Sequence, residues 1–434
     1  MGRSLVVGKG HSLQGDIRVP GDKSISHRAA MLSALAHGES CIANYLLSAD
    51  CFQTIDCLRK LGVAIEIDQH TVRVQGYGLD GLREPVEVLD VGNSGTTIRL
   101  LSGILAGQPF TSFITGDTSI RRRPMGRITK PLKLMGAQIL GRADDDLAPL
   151  AIRGGRLQPV SYATPVASAQ VKSAILLAGL FTDGWTEVLE PAKSRDHTEL
   201  MLQALGVPIV VEGLAVRIKG GQSWSGFDMV VPGDLSSAAF WLVAGSIVPN
   251  SRLVLHQVGL NPTRTGIIDI LRAMGAKITI LNAHTSMGEH VGDLLVESSS
   301  LHGIEISGEL VVRAIDEIPI VAVAAGFASG VTEIRDAGEL KVKESNRLAA
   351  IAGECRKLGM DITELPDGLR IRGGCKLMGT VVDSHNDHRI ALSLAVAALM
   401  AEGQTTITNA ECINVSYPNF PSVLSCLGGV VSET

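Results

Sequence analysis

Amphipathic runs that end in Leu-Gly or Met-Gly recur along the whole chain. A glycine placed directly after such a run is the usual left-handed terminator of an α-helix. The runs lie mostly about 70 residues apart, and their regular spacing indicates a repeated structural unit. They occupy residues 58–62, 132–136, 202–206, 271–275, 355–359 and 424–428.

Alternating apolar and polar positions follow most of these runs. Residues 63–76, 207–221 and 360–374 each alternate around a short turn, which is the signal of a β-hairpin. The period is too long for the common solenoid repeats. The pattern therefore predicts a βαβαββ unit of about 70 residues that is used six times.

A second, shorter sequence repeat suggests where two domains are joined. Val-Pro-Gly-Asp at 19–22 is matched by Val-Pro-Gly-Asp at 231–234, and each is followed by a helix-like run. Pro-Gly suits a tight crossing of the backbone. We therefore predict an α/β (α+β) fold of two lobes with three repeats each, joined by a double crossover that acts as a hinge beside a ligand cleft. One lobe spans 21–234 and the other 1–20 and 235–434.

Composition narrows the class of protein. The chain has 434 residues, 45% hydrophobic and 19% charged, so it is globular. Aromatic residues make up only 3% and the net charge is −5, which argues against a nucleic-acid partner. The seven cysteines form no C-x-x-C pair, so we expect neither a disulfide framework nor structural zinc.

Hydropathy indicates the cellular compartment. Residues 1–10 contain no apolar segment of the kind found in signal peptides. The longest apolar stretches, 318–328 and 390–401, are too short to span a bilayer and predict buried helices instead. We expect a cytoplasmic chain that has no membrane partner and acts as a monomer.

Three adjacent arginines are the most conspicuous charges. Arg121, Arg122 and Arg123 are followed by Pro124, which stiffens the loop. The planar guanidinium binds phosphate or carboxylate with two hydrogen bonds, so the triplet indicates an anion site. The alternative is a solvated basic loop.

Basic and hydroxyl side chains also collect where helices are expected to begin. Lys23, Ser24 and Arg28 precede or open a helix expected over 29–36, and the free N–H groups and dipole at a helix start favour anions. The alternative is that Asp22 or Ser24 is only an N-cap.

Two further helix starts carry polar groups. Residues 92–99 form a Gly-rich loop with Asn93 and Gly95, but without the spacing of a nucleotide-binding P-loop. Backbone N–H groups at Gly95 and Thr96 suit an anion. Residues 168–172 supply hydroxyl and amide donors that suit a polyhydroxylated ring.

Carboxylates accompany the cations in the C-terminal half. Asp316 precedes a predicted buried helix, where it is either a cap or, beside cations, a general base. Lys343 and Arg347 are expected on one helix face at i, i+4, next to Glu344. Residues 386–389 open another helix. Helix starts that converge in this way predict one site for more than one anionic group.

Taken together, these motifs resemble the 5-enolpyruvylshikimate-3-phosphate (EPSP) synthases, and the resemblance covers essentially the whole chain. It implies two lobes of three βαβαββ units. It also implies that shikimate 3-phosphate reacts with phosphoenolpyruvate and releases phosphate, without a metal or an organic cofactor. The motifs that carry it, in order, are PGDKSISHRA (20–29), GNSGTTIRL (92–100), GDTSIRRRPM (116–125), SAQVKSA (168–174), KVKESNRL (341–348) and NDHRIAL (386–392).

The same resemblance implies roles for individual residues. Asp316 is the expected base at the 5-hydroxyl and Glu344 the expected proton donor to carbon, with Lys23 as the third candidate in an assignment that stays open. The residues expected to bind shikimate 3-phosphate are Lys23, Ser24, Arg28, Ser168, Ala169, Gln170, Arg195, Asp316 and Lys343. Those expected to bind phosphoenolpyruvate are Lys23, Asn93, Gly95, Arg123, Gln170, Arg347, His388 and Arg389.

Departures from the family pattern leave inhibitor response open. Arg195 stands where many members have Tyr, and Val415 lies in a segment where many have Lys. Both features resemble the glyphosate-tolerant branch, but Gly95, often Ala in that branch, is retained.

The sequence leaves three alternative functions. The related UDP-N-acetylglucosamine enolpyruvyl transferases usually carry a Cys in the loop that here reads Thr118 and Ser119. RNA 3′-phosphate cyclases share similar repeats but fit an acidic, aromatic-poor chain badly. A non-catalytic two-lobe anion-binding protein would need the cations but neither Asp316 nor Glu344.

Overall fold

The computed structural model describes residues 3–433. The α-helices are α1 Lys23–Ala34, α2 Ala49–Lys60, α3 Gly95–Ala106, α4 Gly126–Leu134, α5 Arg142–Asp145 (a single irregular turn), α6 Ala169–Gly179, α7 His197–Ala204, α8 Leu235–Ile247, α9 Gly266–Ala273, α10 Glu309–Arg313, α11 Ile318–Gly326, α12 Arg347–Lys357, α13 His388–Ala398 and α14 Phe420–Cys426. Short 3-10 helices cover Ile120–Arg122, Gly338–Val342 and Ala410–Val415.

The strands fall into six four-stranded sheets and one two-stranded ladder within the described residues. They are β1 Leu5–Gly8, β2 Gln14–Ile17, β3 His37–Ala43, β4 Ala64–Asp68, β5 Thr71–Tyr77, β6 Leu89–Asp90, β7 Thr111–Thr115, β8 Gln138–Gly141, β9 Leu147–Arg153, β10 Ser161–Ala163, β11 Trp185–Leu189, β12 Ile209–Glu212, β13 Ala215–Lys219, β14 Asp228–Val230, β15 Arg252–Gly259, β16 Lys277–Ser286, β17 Glu289–Glu297, β18 Glu305–Ile306, β19 Val331–Ile334, β20 Asp361–Leu365, β21 Gly368–Arg372, β22 Leu377–Met378, β23 Val381–Asp383, β24 Ala401–Glu402, β25 Gln404–Thr408 and β26 Val431–Glu433.

The predicted glycine terminators are confirmed at all six positions. The helices α2, α4, α7, α9, α12 and α14 each end two residues before the glycine, with one cap residue between, and the six glycines have φ between 83° and 109°. An L side chain rarely adopts that conformation, so glycine releases the chain from the helix into the following strand at little cost. The terminal glycines are Gly62, Gly136, Gly206, Gly275, Gly359 and Gly428.

Each four-stranded sheet belongs to one βαβαββ repeat, as the pattern predicts. In the third repeat β10 pairs in parallel with β11, and β13 pairs antiparallel with both β11 and β12. The sheet orders β6-β7-β9-β8 and β18-β19-β21-β20 follow the same scheme. Three sheets are completed by a distant strand, because β14 pairs with β3, β2 pairs with β15, and β1 pairs with both β25 and β26.

The chain forms two compact units, each with its own hydrophobic core. One unit comprises residues 21–231 and 285–289, and the other comprises 3–20, 232–284 and 290–433 of the described chain. The segment 285–289, at the turn between β16 and β17, was not expected in the first unit. Both cores consist mainly of Leu, Ile, Val and Ala, as the low aromatic content requires.

In each unit the first helices of the three repeats pack together. In the unit that contains residues 21–231, α3 packs against α1 and α6. In the other unit, α11 packs against α8 and α13, and α8 also contacts α13. The predicted buried helices are confirmed as α11 and α13, whose residues are almost all buried.

Residues 3–433 offer neither a membrane-spanning helix nor a cluster of metal ligands. Within that range, no helix is long and apolar enough to cross a membrane. Nor does the described chain contain a group of His, Cys, Asp and Glu side chains placed to hold a metal ion. The seven cysteines are all free thiols.

Candidate active site

Helix α1 begins at Lys23, earlier than the sequence pattern suggests. The side chain of Asp22 caps it by accepting a hydrogen bond from the backbone N–H of Ile25 (2.9 Å), so the N-cap alternative holds for Asp22. The first turn therefore includes Lys23, whose ammonium group forms an ion pair with Asp50. The expected start at Ala29 is wrong because the cap lies further upstream.

Arg28 is buried in α1 and is held by uncharged groups. Its Nε donates to Thr198 Oγ1 and its Nη2 to Ser173 Oγ, both at 2.7 Å, and its Nη1 donates to the carbonyl of Ser24 at 2.9 Å. A guanidinium has five N–H groups, so donors remain for a ligand. Burial lowers the pKa of Arg28 to about 10, and the group stays cationic at neutral pH.

Gly95 is the first residue of α3, which is capped by Ser94. The first N–H groups of a helix have no partner within the helix, so those of Gly95 and Thr96 are oriented for an anion. A Cβ at Gly95 would lie 2.9 Å from Nη1 of Arg99 and 3.1 Å from Nη1 of Arg123. Glycine therefore permits two guanidinium groups close to this helix start.

Of the three adjacent arginines, Arg123 is the one that joins this cluster. Its Nη2 donates to Asn93 Oδ1 (2.9 Å), and Asn93 in turn donates to Asp117 (2.7 Å). Arg121 and Arg122 are exposed, as the solvated-loop alternative expected for the triplet. The structure therefore separates the triplet into one residue that belongs to this cluster and two exposed residues.

Gln170 connects the starts of α3 and α6. Its Oε1 accepts from Arg99 Nη1 (2.7 Å) and its Nε2 donates to Thr96 Oγ1 (3.0 Å). Ala169 is the first residue of α6, and Ser168 caps that helix. The predicted residues 168–170 therefore lie beside those of the Gly-rich loop.

Arg195 lies in the loop that leads into α7 and is half-buried. Its positive charge is among the causes that lower the pKa of Arg28, after burial. The two guanidinium groups therefore lie near each other in this unit.

In the other unit, Arg347 binds three carboxylates. Its Nε lies 2.8 Å from Asp387, its Nη2 lies 2.6 Å from Glu344, and its Nη1 lies 3.3 Å from Asp316. The residue is only 1% exposed. Burial alone would lower its pKa, but the three carboxylates outweigh burial and raise it above its usual range.

The prediction that Lys343 and Arg347 share one helix face is wrong. A 3-10 helix ends at Val342, and α12 starts only at Arg347. The side chain of Asn346 caps α12 by accepting a backbone N–H at 3.3 Å, so the residues before it cannot continue the helix. The ammonium of Lys343 nonetheless lies 4.0 Å from Asp316 Oδ1.

Three cationic side chains surround Asp316, just before α11. Lys343 and Arg347 approach Oδ1, while Nη2 of Arg389 lies 3.8 Å from Oδ2. Within the described chain no side chain caps α11, so the capping alternative does not explain Asp316 or Glu317. Neighbouring cations favour an ionised carboxylate.

His388 and Arg389 begin α13, which is capped by Asp387 through the N–H of Arg389 (3.0 Å). Burial raises the pKa of Asp387, but the charges of Arg347 and His388 outweigh it, and the net pKa is lowered. Arg389 Nη1 also donates to the carbonyl of Asp316 (3.2 Å). Three helix starts therefore carry one hydrogen-bonded network.

Taken separately, both units can bind anions. Each gathers positive helix ends and guanidinium groups that match phosphate or carboxylate. The unit with Arg347 also presents two carboxylates, Asp316 and Glu344, which are suited to proton transfer.

A family model for EPSP synthase (3-phosphoshikimate 1-carboxyvinyltransferase) matches residues 7–424. The chain belongs to the EPSP synthase family. A curated 3-phosphoshikimate 1-carboxyvinyltransferase of Pelotomaculum thermopropionicum is 58% identical over 423 residues, which cover 97% of this chain and 98% of that protein. One of Geobacillus thermodenitrificans is 59% identical over 411 residues, 94% of this chain and 95% of that protein.

A solved structure supports the same family and fold. The EPSP synthase of Acinetobacter baumannii is 41% identical, covers 100% of both chains and superposes with a TM-score of 0.92. The resemblance to this family and the fold class predicted from the sequence are therefore confirmed.

Sequence reasoning missed a buried charged group behind Arg28. Lys172, Glu190 and Glu199 are each at most 3% exposed, and the lysine contacts both glutamates. A signal was present, since a lysine stands inside the mostly apolar helix α6. A charge in such a run must be paired if the run is buried.

Proposed function

We propose that this chain transfers the enolpyruvyl group of phosphoenolpyruvate to the 5-hydroxyl of shikimate 3-phosphate and releases phosphate. Membership of the EPSP synthase family over residues 7–424 carries the proposal. The reaction class belongs to the shikimate route to aromatic amino acids. The clusters described above match the chemistry, because both substrates are anions.

Phosphoenolpyruvate is assigned to the arginines that lie next to helix starts. Arg123 and Gly95 offer a guanidinium and backbone N–H groups, and Arg347 and Arg389 offer two more guanidinium groups. Phosphoenolpyruvate carries a carboxylate and a phosphate, and guanidinium groups bind both with paired hydrogen bonds. Asn93, which accepts from Arg123 at 2.9 Å, fixes one of these arginines, and Lys23, Gln170 and His388 complete the proposed set.

Shikimate 3-phosphate is assigned to the α1 start and its neighbours. Lys23, Ser24 and Arg28 supply donors for an anionic group of this substrate at a helix N-terminus. The rest of the substrate is assigned to the start of α6 and to charged groups elsewhere. This second group comprises Ser168, Ala169, Gln170, Arg195, Asp316 and Lys343.

The reaction proceeds by addition and elimination. The oxygen of the 5-hydroxyl bonds to the enol carbon while the methylene carbon gains a proton, giving a tetrahedral adduct with a methyl group. Loss of a methyl proton and cleavage of the bond between carbon and the bridging oxygen then release phosphate and restore the double bond. Nothing is oxidised or reduced.

Asp316 and Glu344 are proposed as the proton-transfer groups. Asp316 lies among Lys343, Arg347 and Arg389 at 3.3–4.0 Å, which suits an ionised base at the hydroxyl. Glu344 is fixed by Arg347 at 2.6 Å and is assigned to the methylene carbon. Lys23 remains the third candidate for a proton-transfer role.

The proposal is tested by measuring phosphate release with both substrates present and with each substrate left out in turn. Phosphate should appear only when shikimate 3-phosphate and phosphoenolpyruvate are both present. UDP-N-acetylglucosamine in place of shikimate 3-phosphate should give none, which separates the related transferase. Binding of both substrates without phosphate release would favour the non-catalytic anion-binding protein.

Three further properties stay predictions. A monomeric state is tested by sedimentation and a cytoplasmic location by fractionation of the source cells. Response to glyphosate is tested by inhibition against phosphoenolpyruvate, with Gly95, Arg195 and Val415 as the positions of interest.

A further inference from the structure

Lys172 lies in the interior between two carboxylates. Its Nζ is 2.8 Å from Glu190 Oε2 and 2.7 Å from Glu199 Oε1, and the three side chains are 1–3% exposed. Glu190 also accepts a hydrogen bond from the hydroxyl of Ser194. One buried cation therefore serves two buried anions.

A second cation, Arg28, lies beside this group, because its hydrogen-bond partners are the sequence neighbours of Glu199 and Lys172. Thr198 and Ser173, which accept from the Arg28 guanidinium at 2.7 Å, directly precede Glu199 and directly follow Lys172 in sequence. Among the described residues no carboxylate lies within 4.0 Å of Arg28, yet Glu199 exerts the strongest attraction on its charge. Arg28 is thus close to Glu199 but not paired with it.

We propose that Lys172 is a positioning residue that occupies Glu190 and Glu199 and so leaves the guanidinium of Arg28 to an anionic group of shikimate 3-phosphate. The inference rests on the proposed function for the identity of that ligand. A buried carboxylate without a partner is costly. Without Lys172, Glu199 would therefore compete with the substrate for Arg28.

Lys172 is the cation that both buried glutamates contact. Its removal leaves Glu190 and Glu199 without that cation, and Arg28 is the next cation that acts on Glu199. The other charged groups that act on Arg28 or Glu199 are Asp22, Asp196, Arg195 and Glu289. Among the described side chains, Glu199 forms an ion pair with Lys172 alone.

Replacement by methionine keeps the length of the side chain and removes its charge. In Lys172→Met, the dissociation constant for shikimate 3-phosphate, measured by calorimetry, should rise about 10- to 100-fold near neutral pH, as when charged hydrogen bonds to a ligand are weakened. The KM for phosphoenolpyruvate should stay nearly unchanged. Lys60→Met, which removes a lysine from the partly exposed ion pair with Asp56, is the matched control and should bind like the wild type.

Acidity provides a readout that a purely structural lysine would not give. Without its partner, a buried glutamate keeps a raised pKa and takes up a proton as the pH falls. The ratio of the Lys172→Met constant to the wild-type constant should therefore shrink between about pH 8 and about pH 6. Taking the ratio cancels titration of the substrate phosphate itself.

The double variant Lys172→Met/Glu199→Gln distinguishes charge from packing. It removes the competing carboxylate together with the lysine, so binding should return to within a few-fold of the wild type. If Lys172→Met does not fold, the double variant alone tests the inference, since it removes one positive and one negative charge together with their ion pair.

Three results overturn the inference. They are wild-type affinity in Lys172→Met, a loss that neither acid nor Glu199→Gln reverses, and a folded double variant that binds weakly. Failure of the wild-type chain to bind shikimate 3-phosphate is a separate result that contradicts the proposed function itself and the ligand named here.

Discussion

Gly95→Ala is the substitution whose effect the structure predicts in most detail. The added Cβ would lie 2.9 Å from Nη1 of Arg99 and 3.1 Å from Nη1 of Arg123. Both contacts are with the ends of flexible side chains, so the guanidinium groups move and the backbone stays. Gly95 does not have a left-handed backbone, so alanine causes no strain and suits a helix start.

The expected cost falls on phosphoenolpyruvate. A charged hydrogen bond contributes about 1.5–3 kcal/mol, and a displacement of a few tenths of an ångström forfeits part of it. We estimate about 0.7–2 kcal/mol, which is a rise of roughly 3- to 30-fold in the KM for phosphoenolpyruvate. The KM for shikimate 3-phosphate and the melting temperature should remain nearly unchanged.

Steady-state kinetics with each substrate varied in turn provides the assay. Gly353→Ala in α12 is the matched control, because no heavy atom lies within 4 Å of its added Cβ. That control should leave both KM values unchanged and add up to about 1 kcal/mol of helix stability. An unchanged phosphoenolpyruvate KM in Gly95→Ala, or an equal rise for both substrates, would refute the reasoning.

Three other predictions concern binding, chemistry and acid stability. Arg123→Lys keeps the charge but loses the planar guanidinium fork, so the binding free energy of phosphoenolpyruvate should weaken by about 1.5–3 kcal/mol. Equilibrium titrations test this, and an equal loss for shikimate 3-phosphate would show that the assignment of Arg123 is wrong. Asp316→Asn and Glu344→Gln should bind shikimate 3-phosphate yet lose roughly two to four orders of magnitude in turnover. Glu344→Gln should also slow deuterium exchange into the phosphoenolpyruvate methylene. Near wild-type turnover in Asp316→Asn would show that another residue is the base. Burial holds the pKa of His27 at about 3 against a usual 6.5, so only the unfolded chain is protonated at pH values between these two. The free energy of unfolding should therefore fall by roughly 4–5 kcal/mol as the pH is lowered through this range. Urea unfolding should show a weaker dependence on pH in His27→Asn, and an equal dependence would count against a buried neutral imidazole.

Local signals predicted the repeats because the structures they specify are local. A glycine such as Gly206 ends α7 through its own backbone freedom, and the alternation in 207–221 sets the faces of one hairpin. These features need no knowledge of distant residues. The pairing of β1 with β25 and of β14 with β3 joins strands from opposite ends of a unit, which no local pattern can specify.

The candidate site was predictable to a similar degree. Residues at helix starts, such as Lys23 and Gly95, carry their own turn and capping signals. The break in the helix between Lys343 and Arg347 was missed although Asn346 supplied a capping signal. The partners of Lys172 come from α7 and from the end of β11, so only the packing of those elements identifies them.

The central claim is that the enolpyruvyl group is transferred with cleavage of a carbon–oxygen bond. The most direct test uses phosphoenolpyruvate that carries heavy oxygen at the bridging position, together with shikimate 3-phosphate and the wild-type chain. The account predicts that the label leaves with phosphate and that an enolpyruvyl ether forms in equal amount. Phosphate without the label, accompanied by pyruvate, would indicate cleavage of the phosphorus–oxygen bond and would contradict the account.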